Sequence, residues 1–168
     1  MKKALLGFLF VGLVLGAAPA YAGSATSDFT VTANVVAACT ISTTGISFGN
    51  YDATSLVPKD ASGSVTVACA LGTAANVRMG QGANTATGST DAAPLRQMAT
   101  GTDRLRYDLY QDATHLVVWA NTAGTGQAYV GLGPLGGTTL TIYGRVPINQ
   151  NAPVANGYSD TVTASVNF

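Results

Sequence analysis

His115 is the only histidine in the chain. A charge-relay triad or a two-histidine metal site must therefore use it or fail. It stands beside Asp112 in a run of turn-forming residues, which points to a solvated turn histidine. All eight acidic residues are Asp. Paired carboxylates can cleave a glycosidic bond, yet nearly all of these sit at strand ends and turns, where Asp serves the backbone. No GxSxG elbow is present. The stretch GLGPLG, residues 131–136, formally fits GxGxxG. It holds a proline and leads into TTLTIYG, a strand pattern rather than the helix that phosphate binding requires. It reads as a Gly-rich hairpin turn. Trp119 with Tyr107, Tyr110, Tyr129 and Tyr143 could line a sugar platform. The simpler expectation puts Tyr107 in a core, with the others flanking it or covering a sheet. These residues do not converge on a reaction, so neither an enzyme nor a cofactor is expected.

Cys39 and Cys69 are the only cysteines, and their chemistry depends on where the chain goes. Lys2 and Lys3 precede an apolar run from Leu5 to Leu15, broken only by Gly7 and Gly12, and Ala20-Tyr21-Ala22 follows. That order describes a secretion signal over residues 1–22, cleaved after Ala22. The run is shorter than the roughly 20 residues that span a bilayer. In an oxidising compartment the default for two cysteines is a disulfide, and their spacing and lack of further ligands argue against a metal pair. The bridge would close a 30-residue span, worth on the order of 3–4 kcal/mol. Val35 leads in phase to Cys39, and Val65 and Val67 to Cys69, so both cysteines are expected inside, pinning the first strand to another.

With 22 of 168 residues removed, 146 remain, about one ordinary domain. Six basic residues (Lys59, Arg78, Arg96, Arg104, Arg106, Arg145) face eight Asp, a net charge near −2. No basic stripe is available for nucleic acid or anionic lipid. The many Thr, Ser, Ala and Gly suit strands and turns, and so weakly charged a surface suits packing against copies of itself.

The elements follow from alternation. In SDFTVTANVVAAC (27–39), Phe29, Val31, Ala33 and Val35 share one side and Thr30, Thr32 and Asn34 the other, a strand with a face made for a core. Periodicity does not say whether that core is its own or a neighbour's. Further strands read at SVTVACA (64–70), NVRMGQG, RLRYDLYQD, HLVVWAN, AYVGLG, TTLTIYGRVP and YSDTVTASVNF, with residues 80–103 as loop. Leu105, Tyr107 and Leu109 should face inward, and the last strand should tie Phe168 into the core. Seven to nine short strands between turn signals describe one antiparallel β-sandwich.

FTVTANVVAACTIS, ISFGNYD (46–52), LRYDLYQD…VVWAN (105–121), LTIYGRVP (140–147) and GYSDTVTASVNF (157–168), taken in order, resemble the spore-coat-protein-U domain family. That family includes the major pilins of archaic chaperone–usher pili. The resemblance covers about Asp28 to Phe168. It implies an immunoglobulin-like sandwich lacking one strand, which a periplasmic chaperone supplies first and the N-terminal extension of the next subunit replaces. Donor positions would fall on Phe29, Val31, Ala33 and Val35 in an extension over residues 23–36, ahead of a sandwich domain over 37–168. Burying Phe29, Val31 and Val35 would contribute on the order of 6 kcal/mol, with ladder hydrogen bonds adding about 1 kcal/mol each. The joint does not close on itself, so it makes a filament. The function so implied is a secreted structural subunit of a surface pilus supporting adhesion and biofilm formation, with a chaperone, an outer-membrane usher and other copies as partners. The alternative is a non-polymerising coat protein or minor adhesive subunit with a self-complete sandwich.

Overall fold

A computed structural model of the chain describes residues 22–168; the expected signal before Ala22 lies outside the described residues. The chain divides into two units, Met1–Asn34 and Val35–Phe168. In the first, residues 22–34 carry neither helix nor strand, and Phe29 and Val31 are 85% and 80% exposed. The strand expected over 29–35 is therefore not formed: the segment has no ladder partner, and a lone strand cannot satisfy its own backbone groups.

The second unit holds nine strands: β1 (Cys39–Thr44), β2 (Lys59–Cys69), β3 (Ala74–Met79), β4 (Gln97–Thr100), β5 (Asp103–Arg106), β6 (Asp108–Tyr110), β7 (Gln127–Val130), β8 (Thr138–Val146) and β9 (Ala164–Asn167). One sheet runs β1-β2-β8-β6 and the other β7-β3-β9, while β4 and β5 pair as a hairpin. Every pairing is antiparallel. This is an immunoglobulin-like antiparallel β-sandwich.

Alternation explains the core. β2 sends Val65, Val67 and Cys69 inward, β8 sends Ile142 and Val146, and β3 sends Val77 and Met79. On the outer face Thr66 and Thr139 bond through their hydroxyls at 2.9 Å. Cys39 and Cys69 sit opposite each other in the β1–β2 ladder and form a disulfide, with Cα atoms 4.0 Å apart. Leu105, Tyr107 and Leu109 are all buried as the pattern predicts. Asp108 departs from it: it is buried too, and takes a 3.2 Å ion pair from Arg106.

Four local expectations change. HLVVWAN forms no strand; Val118 bridges Tyr110 and Trp119 N donates to Leu109 O, so the segment caps the free edge of β6. GLGPLG is no hairpin, because it carries the chain from β7 in one sheet to β8 in the other. Part of the expected 80–103 loop forms β4. Phe168 is 61% exposed, and Val166 is the last residue of β9 packed on the core.

Candidate functional site

β1 is an edge of one sheet and β9 an edge of the other. Among the described residues neither has a second ladder partner. The chain order gives them opposite directions: β1 runs away from the Cys39–Cys69 pole, and β9 runs toward it, from its Met79-paired start at Ala164. Where β1 ends and β9 begins lies a groove of about 260 Å³, bordered by Thr43 and Thr44 of β1 and Ala164 of β9, floored by Met79, Leu109, Ile142, Ile46 and Phe48 and walled by Val162. It opens at the pole where β1 ends and β9 begins.

Ile46 and Phe48 reach the floor because two glycines make room beneath them. A Cβ on Gly63 would lie 2.8 Å from Ile46 Cγ1, and one on Gly144 would lie 2.9 Å from Phe48 Cζ. Any side chain there would lift these residues into the groove. Phe48 also meets Tyr107 with ring centroids 6.1 Å apart.

The wall is held by a carboxylate. Asp160 Oδ1 accepts from Ala83 N at 2.9 Å, Asn84 N at 3.0 Å and Asn84 Nδ2 at 3.1 Å. Its Oδ2 accepts from the Tyr107 hydroxyl at 2.6 Å. Burial, and then this bond to Asp160, push the Tyr107 phenol above its ordinary range, so it stays a donor. Gly82, at φ +92°, lets the chain pass the carboxylate, since a Cβ there would collide with Asp160 Oδ2. Behind this wall Arg96 is fully buried. It donates to Gly80 O at 2.9 Å, Met79 O at 3.0 Å and Trp119 O at 2.8 Å. Burial lowers its pKa, but the guanidinium remains a cation in the core.

A second hollow of about 790 Å³ continues from the groove at the same pole, between residues 49–54 and 152–158. Tyr51 and Tyr158 brace its sides by donating to Pro147 O and Pro153 O, each at 3.0 Å.

Phe29, Val31, Ala33 and Val35 are all exposed, Val35 at 93%. The other candidates disperse. His115 is not solvated as the turn suggests: its side chain is 8% exposed, with Nε2 3.8 Å from Asp60 Oδ1. Its ring meets the edges of Tyr110 and Tyr143. Trp119 is wholly buried, donating from Nε1 to Val77 O at 2.9 Å, so it offers no sugar platform. Among the described residues no group of His, Cys or Asp is placed to hold a metal. Sequence reasoning missed Asp160 and Arg96. Their only signal was a charge set within an otherwise uncharged strand lead-in and a Pro-Leu-Arg-Gln-Met stretch.

The Spore Coat Protein U domain description matches residues 25–165. The chain belongs to that family. As a spore-coat U domain it is 39% identical to Protein U of Myxococcus xanthus, across the whole of this chain and 98% of that protein. Among solved structures it is similar to the crystal structure of the CsuC–CsuE chaperone–tip adhesion subunit pre-assembly complex from archaic chaperone-usher Csu pili of Acinetobacter baumannii. That likeness has a TM-score of 0.53 at 22% identity and covers 80% of this chain. The U domain spans 40% of the length of the chain it matches there, and the likeness concerns the fold.

Proposed function

We propose that this protein is a secreted structural subunit of a surface pilus, polymerised by strand donation from residues 29–35 into the groove of another copy. The observation that carries the reading is the pair of unpaired edges, β1 and β9, flanking one apolar groove. Such edges are normally covered or blunted by charge. Here the residues over β1 and β9 include no Lys, Arg or Asp. A strand laid between them would gain ladder bonds on both sides and seat alternate apolar side chains on the floor. Phe29, Val31, Ala33 and Val35 supply such an alternation, exposed and without a ladder.

The partners follow from the same groove. Before assembly the groove leaves Ile46, Phe48 and Val162 only partly covered, so the subunit would be served by a chaperone that lends a strand, and by an usher where the exchange takes place. The fibre would be extracellular, its role adhesive and mechanical rather than enzymatic. The test is deletion of residues 23–36. The shortened chain should fold only with a chaperone and give no fibres, whereas the full mature chain should give an SDS-resistant ladder that collapses on boiling. Normal fibres from the deletion would refute strand donation. A stable lone monomer from the full chain, without a ladder, would favour a non-polymerising coat protein.

A further inference from the structure

We propose that the loop of residues 131–137, led by Leu132 and Leu135, seats in the hollow between residues 49–54 and 152–158 of the copy whose groove holds its donor strand. The inference rests on the strand-donation reading and adds a second contact to each joint.

Position supports it first. The loop is fastened to the Cys39–Cys69 pole: Gly133 N donates to Cys69 O at 3.0 Å, Gly72 N to Gly131 O at 2.9 Å, and Gly131 N to Thr73 O at 2.8 Å. Only Val36, Ala37 and Ala38 separate Val35 from Cys39. Four Cα steps reach at most about 14 Å, so the pole of the incoming copy stays close to the place where its donor leaves the groove.

Direction supports it next. The groove opens at the pole opposite Cys39, where Thr44 and Ala164 lie, and runs on into the 49–54/152–158 hollow. A donor leaving there runs parallel to β1 and antiparallel to β9. A donor leaving at the other pole would bring the incoming copy against the pole from which the receiving copy's own extension departs, and two joints would compete for one surface. A continuing fibre therefore sets the Cys39 pole of one copy on the hollow of the next.

The chemistry of the two faces agrees. Leu135 is fully exposed and Leu132 is 61% exposed, on a stretch without one Lys, Arg or Asp between Asp112 and Arg145. Leucines held outward on a proline-bearing loop lose little freedom on docking. The hollow is lined by Phe48, Tyr51, Leu105, Ala152, Pro153 and Tyr158, with Asp52 as its single charged residue. An uncharged loop and a hollow with one charge, both partly apolar and brought within reach by a short tether, gain from high effective concentration.

The experiment pairs cysteines across the joint. Fibres of the variant Leu135→Cys with Val154→Cys should give multimers that survive boiling without reductant and vanish with it, while Thr141→Cys with Val154→Cys, with one partner on the outer face of β8, should not. Independently, Leu132→Ser with Leu135→Ser should keep the unboiled ladder but shorten the persistence length of the fibre at least twofold. A normal ladder with no 135–154 cross-link and unchanged stiffness overturns the inference and leaves strand donation standing. A Leu135→Cys thiol that stays open to alkylation in assembled fibres shows the loop uncovered at the joint and overturns it equally. Absence of any ladder from the unaltered chain removes strand donation and this inference together.

Discussion

The Tyr107 hydroxyl donates to Asp160 Oδ2 at 2.6 Å, and this one bond joins the floor of the groove to its wall. Tyr107 comes from the segment between β5 and β6, Asp160 from the loop leading into β9. The same carboxylate takes two successive backbone N–H groups, from Ala83 and Asn84. The wall therefore has its shape before any strand enters.

Tyr107→Phe removes the phenolic donor and leaves a carboxylate oxygen without its partner. The expected loss is about 1–3 kcal/mol of stability, read from denaturant unfolding of the subunit. Ladder formation should weaken too, because Val162 and Ala164 follow Asp160 along the wall.

Arg96 presents a larger effect from a buried cation. Its three carbonyl partners, the adjacent Met79 and Gly80 and the distant Trp119, come from two segments of chain and carry no charge of their own. Arg96→Met fits the volume but strands all three acceptors in the core. It should cost on the order of 3–5 kcal/mol, seen as failure to accumulate or a large fall in the unfolding midpoint. Arg96→Lys should recover only part, because an ammonium cannot reproduce the planar fork.

The strands that were legible from the sequence are those whose alternation is enforced on both neighbours. β2 and β8 lie in the middle of a sheet, so Val65, Val67, Ile142 and Val146 show a clean period of two. The sandwich was legible for the same reason, and the family from the ordered segments between Asp28 and Phe168 that resemble it. The groove was not, because its floor gathers Ile46, Met79, Leu109 and Ile142 from four distant segments, and periodicity carries no information about which segments meet. Asp160 and Arg96 were hidden differently: a buried charge looks like any surface charge until its hydrogen-bond partners are placed. HLVVWAN shows the opposite error, since a strand-like composition was spent on covering the edge of β6.

The disulfide should matter most for β1. Cys39 and Cys69 close a loop with a sequence separation of 30, so replacing both by Ala should cost on the order of 3–4 kcal/mol. β1 has a ladder on one side only. Its amides over residues 39–44 should lose exchange protection well before those of β2, which pairs on both sides.

Acid should loosen the Asp112 turn. Asp112 accepts from the Thr114 hydroxyl, from Val117 N at 2.7 Å and from Leu116 N at 3.1 Å. These bonds, that of Thr114 foremost, pull its pKa down to about 2. A depressed carboxylate stabilises the fold above its ordinary value near 4 and loses that contribution as pH falls through about 2. The unfolding temperature should therefore drop between pH 4 and 2. The drop should be smaller in Asp112→Asn, while Asp60, held low chiefly by its hydrogen bond from Arg145, keeps its share in both proteins.

Gly63 and Gly144 separate the stability of the domain from the quality of the groove. A Cβ on Gly63 would lie 2.8 Å from the Thr44 carbonyl oxygen as well as from Ile46. Backbone at that distance cannot swing aside, so Gly63→Ala must shift the end of β1, at about 1–3 kcal/mol. A Cβ on Gly144 meets only the far ends of Phe48 and Ile46, at 2.9 Å and 3.2 Å. Those ends can tilt upward, and the space above them is the groove. Gly144→Ala should thus leave the melting of the unassembled subunit nearly unchanged by near-ultraviolet dichroism. It should nevertheless lower the temperature at which the SDS ladder collapses, because Phe48 then occupies room the donor side chains need. If Gly63→Ala and Gly144→Ala moved the two readouts in equal proportion, the floor of the groove would not be the surface on which the donor rests.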